Sequence, residues 1–452
     1  KTTRRAWRTI RHIAREFGTA ASIGATITIE GLELPYRPAA AVFFRGAVAH
    51  KHGTHHGLAI QLLNMVVGNM FVVGGYRALN IVGPGWTGAG AKEDYSGVSY
   101  FAAVKIPWGP GKSADGYIVP IPPLGERQPY PPEEVHAPDD LGLLALYPVA
   151  TNISPQVQLS ILDPHKFTIP YETEMLIHCR ANHMTTKATP ELSAEALRRI
   201  PFQVSLGPEL DETAEFADIF LPDRHALERL DPFPQSTNSN MAAATGFWYW
   251  TLRQPVKEAL GQTRHWIEVL FELAERAGFL GELNQVLNVA LHLSPEHRLD
   301  LKQRYSLEQV GDRLAQTQFG PDHNLAWFKK EGYLKFKRRA IEAYPGPFIQ
   351  GRHPVYFEHL KRLGEKVKAV ADELEIPWDV SDYQPLPEWK PCPDYEASSP
   401  DYDLLAVNYK SPFHSLSVTA QNPWLNELSQ HHAYVYKVMV NRDTARRKGL
   451  KV

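Results

Sequence analysis

The chain has 452 residues and a formal net charge of −2 at pH 7, and its 43% hydrophobic and 22% charged residues are ordinary for a globular protein of two or three domains. The small net charge gives no overall electrostatic case for nucleic acid or an anionic membrane, and no apolar run approaches the roughly 18–20 residues of a membrane helix. Two cysteines, Cys179 and Cys392, are too few for a four-cysteine zinc or iron–sulfur site.

The first elements are a helix, a strand and a second helix. Apolar residues at helical spacing predict a basic helix over 3–18, and we predict a strand at 40–47 and a helix at 57–67. Between these lies "HKHGTHHG", whose four histidines have none of the usual metal-ligand spacings. We interpret this segment as a polar loop that touches a ligand through its backbone, with a metal site as the alternative.

The clearest unit is a strand–helix–strand sequence. "EMLIHC" (174–179) and "FQVSLG" (202–207) are buried strand patterns, and a helix beginning at Pro190 lies between them. Such a crossover predicts a parallel sheet, whose ligands bind outside the carboxyl ends of the strands. Arg180 and Asn182 are therefore expected at this edge.

An acidic segment, "DETAEFADIFLPD" (211–223), follows the second strand. Its five carboxylates permit three interpretations: paired catalytic acids, a capped turn, or groups that bind the sugar or base of a nucleotide. The residue types and their spacing do not decide between these three interpretations. The chain contains no G-x-S-x-G, Walker or G-x-G-x-x-G motif.

The sequence after residue 254 predicts helices followed by strands. We predict a helix over 255–279, broken near Gly261, and mostly helical packing elements over 282–380. After a proline-rich connector, a boundary near 398–402 leads to strands at "YDLLAVNYK" (402–410) and "HAYVYKVMV" (432–440). Lys410, in "NYKSPFHSLS", is a candidate for holding phosphate.

Taken in chain order, these segments resemble one known family. "MLIHCRANHM" and "IPFQVSLGPELDETAEFADIFLPDRHALERLD" are similar to the molybdopterin oxidoreductases, the dimethyl-sulfoxide-reductase superfamily. "FRGAVAHKHGTHHG" and "YKSPFHSLSVTAQNPWLNEL" resemble further elements of that family, so that the similarity spans about 40–452. His265 stands where the family often has an Asp before a Trp, so the resemblance does not imply the guanine contact of that Asp here.

The resemblance implies an α/β fold with two regions. Residues 1–398 would form a parallel-sheet domain that binds molybdopterin guanine dinucleotide, with its nucleotide-binding strand–helix–strand at 174–222 and a helical insertion at 255–380. Residues 399–452 would begin a C-terminal six-stranded β-barrel of the double-psi type. The cofactor-binding residues implied by the family are Gly53, Thr54, Arg180, Asn182, Glu212, Thr213, Lys410, His414 and Ser415. Asp218 and Pro222 are expected to shape the chain rather than to touch the ligand.

The implied function is that of a C-terminal half of the catalytic subunit of a molybdenum or tungsten bis-molybdopterin-guanine-dinucleotide oxidoreductase. The complete enzyme would carry out two-electron redox or oxygen-atom transfer, and its branch would include polysulfide, thiosulfate, tetrathionate and arsenate reductases and phenylacetyl-CoA oxidoreductase. No residue of this chain is assigned as catalytic or as a metal ligand. The metal ligand and a 4Fe-4S cluster are expected in an N-terminal portion or a partner chain.

The expected partners are a ferredoxin-like iron–sulfur subunit and, as a further candidate, a membrane-anchor subunit; nucleic acid is not expected. These partners imply a prokaryotic protein that is associated with the membrane through its partner subunits. The sequence does not indicate on which side of the membrane it lies. The alternative is a non-catalytic scaffold subunit that keeps the fold without cofactor. Retention of Asn182, Glu212, Thr213 and His414 argues against the scaffold, since a scaffold has no need of ligand-facing polar groups. An unrelated nucleotide-binding α/β enzyme would need the phosphate-loop glycines that are absent.

Overall fold

The computed structural model describes residues 4–76, 146–147, 157–167, 169, 171–187, 189–236, 247–291, 293–337, 340, 344, 347, 355–396, 401–407, 409, 411–415, 419 and 421–450. None of the described helices combines the length and the apolar character that a bilayer span requires.

The N-terminal part consists of a long helix, a hairpin and two further helices. Helix α1 (Arg4–Ala20) is followed by antiparallel strands β1 (Thr26–Ile29) and β2 (Leu32–Pro35). The hairpin turns at Glu30 and Gly31, which both have positive φ angles (52° and 77°), as a tight two-residue turn requires. Helices α2 (Arg45–Val48) and α3 (Gly53–Val67) come next.

The strand predicted at 40–47 is wrong. The side chain of Asn64, buried on α3, accepts from the N–H of Ala41 at 2.9 Å and donates to its C=O at 2.8 Å. Asn69 donates to the C=O of Ala39 at 2.6 Å. Two amide side chains thus satisfy the backbone groups that a neighbouring strand would otherwise pair, and the apolar run needs no sheet.

The predicted strand–helix–strand unit is confirmed as the start of a three-stranded parallel sheet. After helix α4 (Val157–Leu162), the chain forms β3 (Met175–Cys179), the one-turn helix α5 (His183–Thr186) and helix α6 (Pro190–Arg199). Strands β4 (Phe202–Gly207) and β5 (Ile219–Pro222) complete the sheet in the order β3-β4-β5. Both pairings are parallel, and β4 is the buried central strand.

A second, antiparallel sheet was not predicted. It contains β6 (Asp231–Ser236), β7 (Phe247–Arg253) and β8 (Tyr333–Lys337), with β7 in the middle. Strand β8 lies within the region 282–380 that was predicted to be mostly helical, and it was not predicted as a strand.

Helices form much of the rest of this region, and two of them, Leu307–Phe319 and Leu325–Glu331, pack against the antiparallel sheet. The bounds of the helices are α7 Trp266–Ala277, α8 Leu280–Ala290, α9 Leu307–Phe319, α10 Leu325–Glu331 and α11 Glu358–Glu373. Helix α7 begins later than predicted, because Gly261 takes a left-handed conformation (φ 59°) and His265 supplies the N-cap. Gly311 lets α9 approach β6 closely, since a Cβ there would lie 2.3 Å from the C=O oxygen of Pro232.

The C-terminal residues form helices α12 (Pro393–Glu396), α13 (Pro423–His431) and α14 (Arg442–Arg447). No strand occurs among the described residues of 401–450, so the strands predicted at 402–410 and 432–440 are wrong there, and the predicted barrel is not confirmed. Tyr436 takes a positive φ of 57°, and its hydroxyl donates to Asn426 of α13 at 2.7 Å. The segment therefore turns back onto α13 instead of extending.

Candidate functional site

The carboxyl ends of the three parallel strands form the edge at which ligands are expected. Arg180 follows β3, the acidic segment follows β4, and Asp223 follows β5. Two backbone hydrogen bonds of 2.8 Å hold the outer loops against the central strand: the N–H of Arg180 donates to Leu206, and that of Asp223 to Gly207. The residues that begin the three loops are thus fixed side by side.

Asn182, Glu212 and Thr213 are connected directly across this edge. The Asn182 amide donates to Glu212 Oε2 at 2.6 Å and accepts from Thr213 Oγ1 at 3.0 Å. Asn182 also caps α5 by accepting from the N–H of Thr185, while fully buried Thr213 accepts from the N–H of Met184 at 3.1 Å. Three of the residues predicted from the sequence therefore form one hydrogen-bonded cluster.

The carboxylate of Glu212 is the charged, accessible member of this cluster. The hydrogen bond from Asn182, together with one from its own backbone, lowers the pKa of Glu212 below its usual value. Glu212 is exposed and hence ionised at neutral pH. It can accept hydrogen bonds from hydroxyl or N–H groups of a ligand.

Arg180 is a fixed cation at the same edge. It takes a left-handed backbone conformation (φ 55°), and its guanidinium donates to Asp223 Oδ2 at 2.5 Å. Asp223 is buried and also accepts from Arg229 at 3.3 Å and from the N–H of Trp266 at 3.0 Å. With 28% of its side chain exposed, Arg180 keeps donors available for an anionic ligand.

His265, the residue that departs from the family pattern, has a structural role in this fold. Its ring is buried, and Nδ1 accepts from the N–H of Ile267 at 3.2 Å, which caps α7. The other ring nitrogen lies 3.2 Å from Asp231 Oδ1, and Asp231 also pairs with Arg229 and Arg253. Sequence reasoning identified the substitution but missed Asp231, because no local pattern joins these residues.

The acidic segment divides into structural acids and one candidate ligand. Asp211 Oδ1 accepts from the N–H groups of Thr213 (3.1 Å) and Ala214 (2.9 Å), which caps the 3₁₀ turn Ala214–Phe216. Asp218 accepts from the N–H of Gln203 at 2.7 Å and thereby joins β5 to β4, as expected of a shaping residue. Within the described part of the chain, no group of three or more His, Cys, Asp or Glu side chains could hold a metal ion.

Comparison with known proteins shows which proteins this chain is similar to. The chain is 25% identical over 305 residues to the thiosulfate reductase molybdopterin-containing subunit PhsA of Salmonella typhimurium, covering 65% of this chain and 35% of PhsA. Over 203 residues it is 25% identical to a selenate reductase subunit from Mesobacillus selenatarsenatis, covering 43% of this chain and 17% of that protein. The chain is a relative of the molybdopterin oxidoreductases. The resemblance inferred from its motifs is thereby confirmed.

These relatives are much longer than the region they share with this chain, which spans about a third of PhsA. No protein-family model matches the chain. A solved structure, acetylene hydratase from Pelobacter acetylenicus, aligns with a TM-score of 0.33 and 15% identity over 66% of this chain and 34% of that one. A likeness of this size adds no argument.

Gly53 and Thr54, which the family resemblance places near the cofactor, lie at the start of α3. Gly53 is buried, and a Cβ there would lie 1.9 Å from the C=O oxygen of Val48. Close packing is therefore enough to explain why this position is a glycine. Thr54 is exposed in the first helical turn. A ligand contact by either residue stays a prediction.

The histidines of the same segment bind another part of the chain. His52 Nδ1 lies 2.7 Å from Asp382 Oδ1, and His55 Nε2 lies 2.9 Å from the Asp382 C=O oxygen. His55 Nδ1 accepts from the N–H of Glu388 at 2.7 Å. These contacts hold the segment against Asp382 and the proline-rich connector (383–393) that follows it. The predicted open loop between a strand and a helix is therefore packed against another part of the chain.

The C-terminal candidates are only partly described. Lys410 lies outside the described residues. His414 Nδ1 lies 3.1 Å from the C=O oxygen of Thr419, and Nε2 lies 3.1 Å from Ser429 Oγ and 3.0 Å from the Tyr436 hydroxyl. The N–H of Ser415 donates to Thr419 Oγ1 at 2.8 Å. Both ring nitrogens of His414 are therefore occupied by protein groups, and its role toward a cofactor stays a prediction.

A histidine pair beside the cluster escaped the sequence analysis. His178 is buried on β3, with Nε2 3.1 Å from Gln203 Oε1, and its ring centroid lies 5.1 Å from that of His183. Burial, with smaller contributions from His178 and Lys187, lowers the pKa of His183 to about 4. Both rings are neutral at pH 7 and add no charge to the edge.

Proposed function

We propose that this chain is the nucleotide-binding portion of the catalytic subunit of a molybdenum or tungsten bis-molybdopterin-guanine-dinucleotide oxidoreductase. The observation that carries the proposal is the cluster of Asn182, Glu212 and Thr213 beside Arg180, at the carboxyl edge of the parallel sheet. Four polar residues meet where a parallel sheet binds nucleotides, and the chain is related to a molybdopterin-containing subunit.

The residues at the edge fit the nucleotide arm of such a cofactor. The ionised carboxylate of Glu212 suits sugar hydroxyls or the N–H groups of a base, and Asn182 holds that carboxylate in place. The guanidinium of Arg180 suits a phosphate oxygen, because an Arg can donate to an anion while it remains paired with a carboxylate. The bound metal–pterin group would supply the two-electron chemistry, and these residues would bind and orient it.

The reaction of the whole protein is part of the same proposal. Because relatives include thiosulfate and selenate reductase subunits, we favour a reductase of the thiosulfate, polysulfide, tetrathionate or arsenate branch, with phenylacetyl-CoA oxidoreductase as a further member. Electrons would pass through a 4Fe-4S cluster to a ferredoxin-like subunit, with a membrane-anchor subunit as a third partner. The metal ligand would belong to another part of the protein or to a partner chain.

A non-catalytic scaffold subunit is the second candidate. It is favoured by His414, whose ring nitrogens are both occupied by protein groups, and by the packing reason for Gly53. The two candidates differ in whether the assembled complex contains metal and pterin.

The test is elemental analysis for molybdenum and tungsten, together with pterin fluorescence after acid oxidation, on the complex purified with all its subunits. We expect about one metal and two pterins per complex, since a bis-pterin site holds one metal. A complex that contains neither metal nor pterin would establish the scaffold.

Variants of the acidic segment test whether the edge holds the cofactor. Glu212→Gln removes the charge from the cluster, whereas Glu215→Gln makes the same change at an exposed position in the adjoining 3₁₀ turn. We expect Glu212→Gln to weaken cofactor retention about tenfold or more, since a hydrogen bond to a charged group contributes roughly 1.5–3 kcal/mol. Equal pterin content in both variants would contradict the assignment of this edge.

A further inference from the structure

Helix α1 has an exposed apolar face that the proposed function does not use. Trp7, Ile10, Ile13 and Phe17 follow one another at helical spacing. Trp7, Ile10 and Ile13 are 56%, 53% and 59% exposed, although amphipathic helices normally bury such a face. The three side chains need a partner that the described part of the chain does not supply.

A stripe of arginines runs along the polar side of the same helix. Arg8, Arg11 and Arg15 are spaced by three and four residues, so they share one side of the helix, next to Trp7. All three are exposed, and none forms an ion pair within the described part of the chain. The acid of the helix, Glu16, lies 3.2 Å from His12. The stripe is therefore strongly positive even though the net charge of the chain is −2.

The helix is held to the rest of the protein by its C-terminal end. Ala21, directly after α1, is fully buried, and Arg37 Nη1 donates to the C=O groups of Ala25 (2.9 Å) and Ser22 (3.4 Å). By contrast, every residue from Trp7 to Glu16 is exposed. The apolar and basic stripes can thus meet a surface without any change in the described contacts.

From these features we infer that α1 binds the surface of an anionic lipid bilayer. A helix lying flat in the headgroup region inserts its apolar face, and the arginines on its polar face are attracted to the anionic lipid headgroups. Trp7 suits this depth, because its ring is apolar and its indole N–H is polar. A second copy of the helix is a poorer occupant, since it would cover the apolar faces but bring no counter-charge to either arginine stripe.

The experiment is co-sedimentation of the native protein with vesicles. We expect binding to mixed phosphatidylglycerol–phosphatidylcholine vesicles, weak or no binding to pure phosphatidylcholine vesicles, and release at high salt. The double variant Arg8→Gln/Arg11→Gln should bind about 25-fold more weakly, because each basic residue near an anionic surface contributes about fivefold.

Arg362→Gln/Arg446→Gln is the matched control, since it removes two exposed charges elsewhere and should leave binding unchanged. In a second variant, Trp7→Ser/Ile10→Ser, we expect loss of vesicle binding with an unchanged far-ultraviolet circular dichroism spectrum. Absence of binding to anionic vesicles, or equal loss in the control, would overturn the inference. The inference would also be overturned if the native protein bound no vesicles but self-associated, and if Trp7→Ser/Ile10→Ser abolished that self-association. Cofactor content is measured separately, so failure here leaves the proposed function standing.

Discussion

Asp223 is the residue on which the geometry of the sheet edge most depends. Its side chain is fully buried, and it accepts from Arg180 at 2.5 Å, Arg229 at 3.3 Å and the N–H of Trp266 at 3.0 Å. The Arg229 side chain is only 9% exposed, so water cannot replace the carboxylate there. We predict that Asp223→Ala lowers the free energy of unfolding by about 3–5 kcal/mol, the cost of removing one partner of a buried ion pair.

Asp223→Asn separates the charge from the hydrogen bonds. The amide oxygen can still accept from Trp266, so we expect a smaller loss of about 2–3 kcal/mol, since a hydrogen bond to a charged group contributes roughly 1.5–3 kcal/mol. Urea unfolding, followed by circular dichroism, measures both variants. In the assembled complex, the same variants should lower pterin content, because Arg180 would lose the carboxylate that fixes its guanidinium.

Glu308→Gln is the control for this series. It breaks the ion pair between Glu308 and Lys329, which is nearly as short (2.6 Å) as the pair between Asp223 and Arg180 but lies at the surface. We expect a change of at most about 1 kcal/mol, as is usual for exposed pairs. If Asp223→Ala were no more destabilising than Glu308→Gln, Arg180 and Arg229 would be stable without the carboxylate, and the fixed-cation description of the edge would be refuted.

Three further changes test other contacts. Gly53→Ala should destabilise by about 3 kcal/mol in thermal unfolding, because its Cβ would overlap the C=O oxygen of Val48, whereas Gly46→Ala, with open space around it, should not. The pKa of His183 is about 4, below the 6.5 of an unperturbed histidine, so the unfolded chain binds more protons between these values and stability falls as the pH drops from 6.5 towards 4. His183→Gln should flatten this fall in urea unfolding measured at several pH values. Asp382→Asn removes the charge that pairs with a buried histidine, and limited proteolysis should then cleave the connector faster.

The parallel sheet could be predicted because its signals are local. Two short apolar runs, with a helix between Pro190 and Pro201, are enough to define the crossover. The antiparallel sheet could not be predicted from local signals. Strand β8 follows its partner β7 by about 80 residues, and β6 contains two prolines. Prolines normally argue against a strand, but among the described strands β6 pairs with β7 alone and lies at an edge, where missing N–H donors are tolerated.

The candidate site shows a similar division between local and distant information. Asn182 and the acidic segment could be placed at one edge because each follows a strand of the same parallel sheet, and the family resemblance then singled out Glu212. The partner of His52 could not be predicted, because Asp382 lies 330 residues away and neither segment contains a pattern that indicates the contact. The histidines therefore looked like an open ligand loop, although one partly buried aspartate fixes them in place.

The acidic segment explains why a dense run of carboxylates gave three interpretations. Asp211 and Asp218 accept from backbone N–H groups within the turn and the sheet, and Asp223 neutralises arginines. These three carboxylates form structural contacts within the fold. Of the acids in this segment, only Glu212 is exposed and hydrogen-bonded to the neighbouring loop. The capped-turn and nucleotide-binding interpretations are thus compatible, because structural acids position the turn that presents the free one. Which acid is free depends on the contacts across three strands, and a linear pattern does not contain them.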